Sequence, residues 1–529
     1  MSASEPTLTE QQRVRRQSLD ALRAAGHDPY PAAGWPVTHH AAEIVEMYSD
    51  DEHDPDAEGT EPIRAALAGR LVSKRVMGKA AFFHLQDASG RIQGYVQRDV
   101  LPEGYYNEVF KRRLDLGDFV GVEGVAFRTR TGEVSIRVEK LELLTKALRP
   151  LPFPKEVRNE EGVVEVFNEV QDKEFRYRQR YADLAIHPEV RRVFEQRAQV
   201  IRQIRGFLDE RGYVEVETPA LQPLYGGAAA RPFTTHMQAL DLPVFLRIAD
   251  ELYLKRLIVG GFDGVYEIAK NFRNEGLSRF HNPEFTALEL YVAYKDYHWL
   301  MDLTEELLAG LAETLHGKAE FDAVAPSGET RTISFARPWP RRPFFELIRE
   351  HAGLDLFGKG RDEVAEEAKK LGIEVDDTMA LGKLLDEVFG LAVEPKLVAP
   401  TFVTDYPVEL SPLAKKHRET EGLVERFELV CNGKEIANAF TELNDPIDQR
   451  ERLERQVAEA KAGDEEAVNA VDEDFLRALE YGMPPTAGIG IGIDRLVMLL
   501  TGQASIRDVI LFPFLRPEKT EATDEGEES

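Results

Sequence analysis

The chain has 529 residues, 43% of them hydrophobic and 30% charged, with a formal net charge of −28; this length allows about two to four domains. A single cysteine, Cys431, excludes a disulfide framework and a cysteine-based zinc site. No apolar run approaches the roughly 18 residues of a membrane span, and MSASEPTLTEQQRVRRQ at the start contains no apolar signal region. We therefore expect a cytoplasmic protein that makes no membrane contact.

The predicted elements begin with an amphipathic helix at residues 7–25 and an acidic linker at residues 49–61. Residues 62–146 then hold short β-branched and aromatic runs between turn sequences such as DASGR and TRTGE. About five strands of this kind are typical of a small OB barrel, which binds oligonucleotides. In its strand AAFFHLQD, alternation buries one of Phe82 and Phe83 and turns the other outward.

The charge distribution supports this interpretation. Residues 62–146 hold 15 Lys and Arg against 10 Asp and Glu, a net charge of +5, so the rest of the chain carries −33. A strongly acidic protein is an unfavourable partner for nucleic acid as a whole. A basic segment within it is nevertheless the part that could meet a polyanion.

After the proline-rich exit KALRPLPFPKE, a helix is predicted from near His187, with apolar residues at 3/4 spacing up to Leu208 and a stop at Gly212. The strand YVEVETP follows and ends at Pro219, and this unit could serve as core or as a subunit interface. The predicted organisation is a helix and acidic linker (1–61), an OB domain (62–150), an interdomain linker (151–186), a second domain (187–516) with an inserted helical subdomain (338–400), and a disordered acidic tail (517–529).

Residues 270–285, KNFRNEGLSRFHNPEF, place Arg273, Glu275, His281 and Phe285 in one short segment. One interpretation is a solvated hairpin tip with charged arms. The other is a nucleotide site, in which an arginine binds a phosphate, a carboxylate accepts from an exocyclic amine and an aromatic ring stacks on the base.

A second candidate lies around the Asn-Gly dipeptide at 432–433, which predicts a two-residue hairpin. That turn pairs Val430 with Glu435 and puts Glu428 on the same face, diagonal to Glu435. The two carboxylates either bind Mg²⁺ together with substrate phosphates or are simply solvated. A regular turn leaves Asn438 on the opposite face from Glu435, so one site containing both requires a β-bulge.

The sequence TAGIGIGIDRL predicts a strand in which Gly488, Gly490 and Gly492 leave one face bare. Such a face allows close approach of a ligand, or tight packing of a sheet against a helix. Asp494 is predicted to cap the helix that follows, with Arg495 in its first turn. Elsewhere, carboxylates stand in apolar runs, at Glu251 in ELYLKRL and at Glu289 in ALELYVAY, and a carboxylate in such surroundings needs a partner.

Several of these sequences together resemble a known family. The helix and strand ending at Pro219, Arg273-x-Glu275 with His281 and Phe285, and Gly490-x-Gly492-x-x-Arg495 resemble the three motifs of class II aminoacyl-tRNA synthetases. The sequences GGAAARPF, RIADELYLKRL, NFRNEG, HNPEFT, ELSPLAKK and GIGIGIDRL are similar to those of bacterial lysyl-tRNA synthetases. The resemblance covers about residues 62–516.

The resemblance implies an α+β fold, with an OB barrel followed by an antiparallel sheet flanked by helices. It implies ATP-dependent activation of lysine and its transfer to tRNA(Lys) by a homodimer, with Mg²⁺ as cofactor and Arg273 and Arg495 as catalytic residues. The implied ATP-binding residues are Arg273, Glu275, His281, Asn282, Phe285, Glu428 and Arg495. The implied lysine-binding residues are Gly227, Glu251, Arg273, Glu289, Tyr291, Asn438, Phe440 and Glu442. The implied Mg²⁺ ligands are Glu428 and Glu435, the anticodon contacts Arg75, Phe82, Gln93 and Glu133, and the dimer residue Pro219.

Three alternatives remain at this point. An aspartyl- or asparaginyl-type synthetase shares the barrel and motifs, although a pocket for an acidic amino acid should offer a cation rather than carboxylates. An enzyme that attaches lysine to a protein would not need the basic barrel. A non-catalytic tRNA-binding protein would not need Arg273, Arg495 and the carboxylate pair.

Overall fold

The computed structural model describes residues 8–31, 34–158, 164–167, 170–376, 379–461 and 470–518. The chain divides into two compact units between Asp172 and Lys173. Most of the predicted acidic tail, residues 519–529, lies outside the described residues. Within the described part, no helix combines the length and the apolar character needed to cross a membrane.

The first unit contains a closed five-stranded barrel in the order β1-β2-β3-β5-β4, so the OB-type prediction is confirmed. The strands are β1 Arg64–Met77, β2 Ala80–Gln86, β3 Arg91–Gln97, β4 Phe119–Arg128 and β5 Val134–Thr145. Three helices precede the barrel: α1 Glu10–Ala24, α2 Ala41–Met47 and α3 Asp50–His53. A π-helix occupies Tyr106–Lys111, and β6 Lys155–Arg158 pairs with β7 Val164–Phe167.

Alternation along β2 decides between its two phenylalanines. Phe83 is 1% exposed and lies in the barrel core, where a side chain on Gly94 would collide with its ring. Phe82 therefore points to the outer face of the strand, where its ring centroid lies 4.9 Å from that of Tyr95.

The acidic segment at 49–61 is not the plain linker that its composition indicates. It contains the short helix α3, and Asp50 and Asp56 pair with Arg128 at 2.8 Å and Arg137 at 2.6 Å. Arg128 of β4 and Arg137 of β5 supply the partners that a solvated loop would lack. These exposed pairs contribute little stability, roughly 0–1 kcal/mol each.

The second unit is built on an eight-stranded sheet in the order β16-β17-β18-β19-β20-β13-β12-β8, antiparallel except at its two edge pairs. Its strands are β8 Val214–Glu215, β12 Gly264–Phe272, β13 Glu284–Ala293, β16 Arg341–Pro343, β17 Thr401–Thr404, β18 Arg426–Cys431, β19 Lys434–Thr441 and β20 Thr486–Gly492. The smaller sheets are formed by β9 Leu221–Gln222, β10 Thr234–Met237 and β11 Leu242–Leu246, and by β14 Glu320–Val324 and β15 Thr330–Ser334.

The helices of the second unit are α4 Lys173–Arg178, α5 Arg180–Ile186, α6 Pro188–Asp209, α7 Glu251–Val259, α8 Tyr297–His316, α9 Phe344–Ala352, α10 Arg361–Lys370, α11 Leu381–Ala392, α12 Pro446–Lys461, α13 Glu473–Glu480, α14 Ile493–Thr501 and α15 Ile506–Val509. Helices α9, α10 and α11 fall inside the segment predicted as an inserted helical subdomain. They pack around a core that includes Phe344, Val364 and Leu384 and that extends to Val403 of β17 and Val430 of β18.

Alternation in the central strands separates the main core from the functional face. Leu288 and Leu290 of β13 belong to the same hydrophobic core as Ile489 of β20 and buried residues of α6, α8 and α14. The alternate residues Glu289 and Tyr291 line a cavity instead. Helices thus cover one face of the sheet, and the other face is available for binding.

The segment predicted as an interdomain linker, 151–186, is only partly described, and its described end is not a linker. It forms α4 and α5 at the start of the second unit. Arg180 is 1% exposed and donates to the carbonyl oxygens of Arg507 at 2.7 Å and Leu511 at 3.1 Å. These contacts tie the segment to the C-terminal part of its own unit.

Candidate active site

A cavity of about 790 Å³ lies over β12, β13, β19 and β20. It brings together most of the residues that the sequence predicts for the site. Its lining includes Gly227, Glu251, Arg273, Glu275, His281, Asn282, Phe285, Glu289, Tyr291, Glu435, Asn438, Phe440 and Arg495. Glu428 and Glu442 are not part of that lining, and both contact residues beside it, as described below.

The bare face of β20 explains how carboxylates fit into this cavity. A side chain at Gly488 would collide with Glu442 Oε1 and with the ring of Tyr291. One at Gly490 would lie 2.7 Å from Glu289 Oε1. Gly488 and Gly490 are therefore required by neighbouring side chains of the sheet, whereas the sequence predicted the approach of a ligand or tight packing against a helix at this face.

Arg273, the first residue after β12, lies close to an aromatic ring. The guanidinium of Arg273 lies 5.1 Å from the ring centroid of Phe285. Burial lowers the pKa of Arg273, which its neighbours Glu275 and Glu435 partly offset; an arginine remains charged at neutral pH. Glu275 is exposed at the rim.

His281 contacts Arg495, one of the two predicted phosphate-binding cations, and the charge of the other, Arg273, also acts on its ring. Burial, together with the charges of Arg495, Lys434 and Arg273, lowers the pKa of His281, so the ring is neutral at neutral pH. Arg495 Nη2 lies 3.2 Å from Nε2, which accepts, and Nδ1 lies 2.8 Å from Ser278 Oγ, to which it donates. Asn282 donates to the carbonyl oxygen of Glu284 at 2.6 Å, so its side chain holds the loop.

A β-bulge resolves the register of the β18–β19 hairpin. Val430 pairs with Glu435 as predicted, but Glu428 pairs with Asn438, because the register shifts between Leu429 and Val430. The bulge adds one residue to β19 between Glu435 and Ala437, and this places Asn438 on the same face of the sheet as Glu435. Bulges of this kind redirect side chains next to binding sites.

Each predicted metal ligand already contacts an arginine. Glu428 accepts from Arg426 Nη2 at 2.5 Å and from the Tyr406 hydroxyl at 2.9 Å. Glu435 Oε2 lies 3.3 Å from Arg495 Nη1. Burial raises the pKa of Glu428 to about 7, an effect that Arg426 opposes and Glu435 reinforces.

These two carboxylates fit a magnesium ion that takes its remaining ligands from phosphates. A divalent cation would offset the repulsion from Glu435 and the free-energy cost of burying the charged form of Glu428. Among the described residues, no group of three or more acidic, histidine or cysteine side chains forms a metal site without a substrate.

The far end of the cavity is strongly acidic. Glu251 and Glu442 are 6% and 0% exposed, and Glu289 accepts from the Tyr291 hydroxyl at 3.0 Å. Burial raises the pKa of all three carboxyl groups. Gly227 has φ +87°, which disfavours any side chain, and a Cβ there would lie 3.1 Å from Ala249 Cβ and 3.3 Å from Glu251 Cβ.

Two further residues of this region were missed by the sequence interpretation. Lys255 ion-pairs with Glu251 and Glu442, and its position four residues after Glu251 on a helix was a signal available in the sequence. Arg426 also donates to Asn438 Oδ1 at 2.9 Å, and no sequence pattern indicated that contact.

Asp494 does not cap α14. The N-cap position is Gly492, and Asp494 is 2% exposed. It accepts from Arg197 of α6 at 2.6 Å and from the backbone of Thr286 at 2.7 Å. The capping prediction was wrong because the glycine strand continues directly into the helix.

The first unit carries a separate cluster on its outer barrel face. Arg75 is exposed and pairs with Phe82 across β1 and β2. Glu133 accepts from Gln93 at 2.8 Å and lies 2.9 Å from His84 Nε2. The four residues predicted to contact an anticodon thus belong to neighbouring strands or their ends. Tyr95, beside Phe82, is an aromatic that the sequence interpretation did not select.

The comparisons with known proteins agree with this arrangement. Residues 172–516 match the family model of class II tRNA synthetases (D, K and N), and residues 65–144 match that of the OB-fold nucleic acid binding domain. Curated relatives include lysine–tRNA ligases of two Porphyromonas gingivalis strains, each 52% identical over 98% of this chain and 88% of the relative. Another, from Christiangramia forsetii, is 53% identical over 97% of this chain and 87% of the relative. The chain belongs to the class II tRNA synthetases and, among them, to the family of the lysine–tRNA ligases.

Proposed function

We propose that this chain activates lysine with ATP and transfers it to tRNA(Lys), and that the cavity of the second unit is where both steps occur. The observation that carries this assignment is the division of charge within one cavity. All four charged side chains line it: Arg273 lies beside Phe285 near the start of β13 and Arg495 follows β20, whereas Glu289 lies further along β13 and Glu251 begins α7, with Glu442 behind these two carboxylates. Free lysine carries a carboxylate at one end and two ammonium groups, which this division matches.

In the first step, the lysine carboxylate attacks the α-phosphate of ATP in line, and the bond to pyrophosphate breaks to give lysyl-adenylate. No general base is needed, because the nucleophile is already ionised near pH 7. Arg273 binds the carboxylate and the α-phosphate, and Arg495 binds the other end of the triphosphate. Catalysis consists of positioning and charge neutralisation.

Glu428 and Glu435 would hold Mg²⁺, which supplies Lewis-acid stabilisation of the phosphates. Phe285 provides the face for adenine, and Glu275 accepts from its amine. In the second step, a hydroxyl of the terminal tRNA ribose attacks the activated carbonyl carbon, AMP leaves and the hydroxyl proton is released.

The barrel would bind the anticodon, with Phe82 stacking on a base and Arg75, Gln93 and Glu133 beside it. A twofold dimer is also proposed, with Pro219 at its interface. Pro219 is exposed, and exposed apolar side chains surround this part of the chain and the small sheet that follows, including Val214, Leu221, Met237, Leu240 and Leu242. An exposed apolar area of this kind is typical of an interface.

The test is ATP–pyrophosphate exchange with each standard amino acid in turn, followed by charging of tRNA. Exchange with lysine and charging of tRNA(Lys) are expected. Exchange with aspartate or asparagine instead would support the related synthetases, and exchange without charging would support an enzyme that modifies another acceptor.

A further inference from the structure

The acidic end of the cavity contains a cation of its own. Lys255 is 0% exposed, and its ammonium group ion-pairs with Glu251 Oε1 and Glu442 Oε2. The same group lies 5.4 Å from the ring centroid of Phe440. Lys255 therefore lies behind the wall of the cavity and pairs with two of the carboxylates that are proposed to bind the substrate.

The number of charges is informative. Glu251, Glu289 and Glu442 carry three negative charges when ionised, and Lys255 neutralises one of them. The two that remain equal the two ammonium groups of free lysine. Among the described residues, Glu442 Oε1 has no hydrogen-bond partner, and it lies against the backbone of Gly488, which lines the cavity.

Without Lys255 this balance would fail. Burial raises the pKa of Glu251 and of Glu442, and the charge and hydrogen bonds of Lys255 oppose that rise for both. The other titratable groups that act on this cluster are Asp250, Tyr291 and Arg426. A buried carboxylate without a counter-ion takes up a proton rather than remain charged.

We propose that Lys255 is a positioning residue of the lysine pocket, a built-in cation that keeps Glu251 and Glu442 ionised and in place and leaves one negative charge for each ammonium group of the substrate. This inference rests on the proposed lysine-binding site, and it adds a residue that does not itself touch the substrate.

The first test is Lys255→Met, which keeps most of the side-chain volume and removes the charge. Its KM for lysine in pyrophosphate exchange should rise at least about tenfold, since losing one partner of a buried ion pair costs more than the 1.4 kcal/mol of one decade. The KM for ATP should stay within about twofold of wild type, because a lost contact on one substrate need not change binding of the other. Its kcat/KM for lysine, divided by that of wild type at the same pH, should increase with pH between 7 and 9, because the carboxylates that have lost their counter-ion give up their protons in this range.

The matched control is Lys146→Met in the first unit. Lys146 is also a buried lysine, paired with Asp115 and Asp118. It does not line the cavity in which pyrophosphate exchange is proposed to occur. This variant should be less stable, yet it should keep the KM for lysine and the pH profile of wild type. A general effect of burying methionine in place of lysine would appear in both variants.

A second test uses Lys255→Ala with added propylammonium, which has the shape and charge of the missing part of the side chain. Propylammonium should lower the KM for lysine in this variant and should inhibit or not affect wild type, whereas propanol should do neither. Propylammonium is also added during refolding, since it can restore the lost ion pairs of a destabilised Lys255→Ala protein; the rescue therefore still tests the role of the charge if Lys255→Met does not fold.

The outcomes separate the two hypotheses. If wild type activates lysine but the Lys255 variants keep its KM and show neither the pH dependence nor the rescue, the positioning role is overturned and the proposed function stands. If wild type does not activate lysine, both are overturned.

Discussion

At the scale of single residues, the site depends on buried carboxylates. Glu289 has one hydrogen-bond donor, the hydroxyl of Tyr291, and the neighbouring charges of Asp250 and Glu251 raise its pKa further beyond the effect of burial. It is therefore poorly satisfied in the free protein. An ammonium group placed beside it would satisfy both its charge and its free lone pairs.

We expect Glu289→Gln to lower kcat/KM for lysine by two to three orders of magnitude, because removing one partner of a buried charge pair costs about 2–5 kcal/mol. Steady-state pyrophosphate exchange checks this, and the KM for ATP should be nearly unchanged. Glu284→Gln, on the same strand but paired with Lys270, is the control and should behave as wild type. Unchanged lysine kinetics in Glu289→Gln would refute the assignment.

Glu435 permits a test of the metal site at the same scale. Glu435→Gln should abolish most adenylate formation, because the variant loses one of two carboxylates for Mg²⁺ and the contact to Arg495. Exchange measured across a magnesium titration should recover in part at excess Mg²⁺ if metal affinity is the defect. Glu320→Gln, on the surface strand β14, is the control. Wild-type exchange in Glu435→Gln would mean that the hairpin carboxylates do not hold Mg²⁺ and serve only as partners of Arg426 and Arg495.

At the scale of elements, turns and bulges orient the side chains of the site. The bulge in β18–β19 places Asn438 opposite Glu428, and the glycines of β20 leave space for the side chains of β13 and β19. The N-terminus of α7 lacks a side-chain capping hydrogen bond. Asp250 is its N-cap, but its side chain makes no capping hydrogen bond, and its Oδ2 has no partner.

Asp250 should therefore make stability depend on pH. Burial, followed by the charge of Glu267, raises the pKa of Asp250 from 3.8 to about 7. For an acid with a raised pKa in the folded state, stability is present in full below pH 3.8 and is lost as the pH rises through about 7. Asp250→Asn removes this loss, and at about 1.4 kcal/mol per pKa unit the gain at pH 8 is at most about 4 kcal/mol.

Thermal unfolding of the ligand-free protein at pH 5 and pH 8 measures this effect. Asp250→Asn should raise the midpoint at pH 8 and much less at pH 5. Asp241→Asn is the control, since its side chain is 96% exposed. An equal gain at both pH values would point to packing or hydrogen bonding rather than to charge.

At the scale of the whole molecule, the two units carry different parts of the proposed reaction. The cavity that would bind ATP and lysine belongs entirely to the second unit. The outward aromatic Phe82 and its neighbours belong to the first. Amino-acid activation and recognition of tRNA should therefore be separable by mutation.

Phe82→Ala should lower kcat/KM for tRNA charging by about tenfold to a hundredfold at fixed salt, since stacking of a base on an aromatic contributes about 1–3 kcal/mol. Pyrophosphate exchange, which needs no tRNA, should be unchanged. Phe83→Ala is the contrasting variant: its ring is core, and its loss should destabilise the barrel. If Phe82→Ala leaves charging intact, another outward residue of the barrel stacks on the base.

The sequence by itself determined the barrel and the antiparallel sheet with its helices, and it named most of the candidate site residues that the cavity brings together. Alternation and the 3/4 helical spacing are local patterns, and the family's motifs are contiguous in the chain. The tertiary structure decided what depends on residues distant in sequence: the bulge that turns Asn438, the pairing of Lys255 with Glu442, and the contact of Arg197 with Asp494. Local patterns do not record these contacts, because a charge finds its partner through the packing of whole elements and not through its neighbours in the chain.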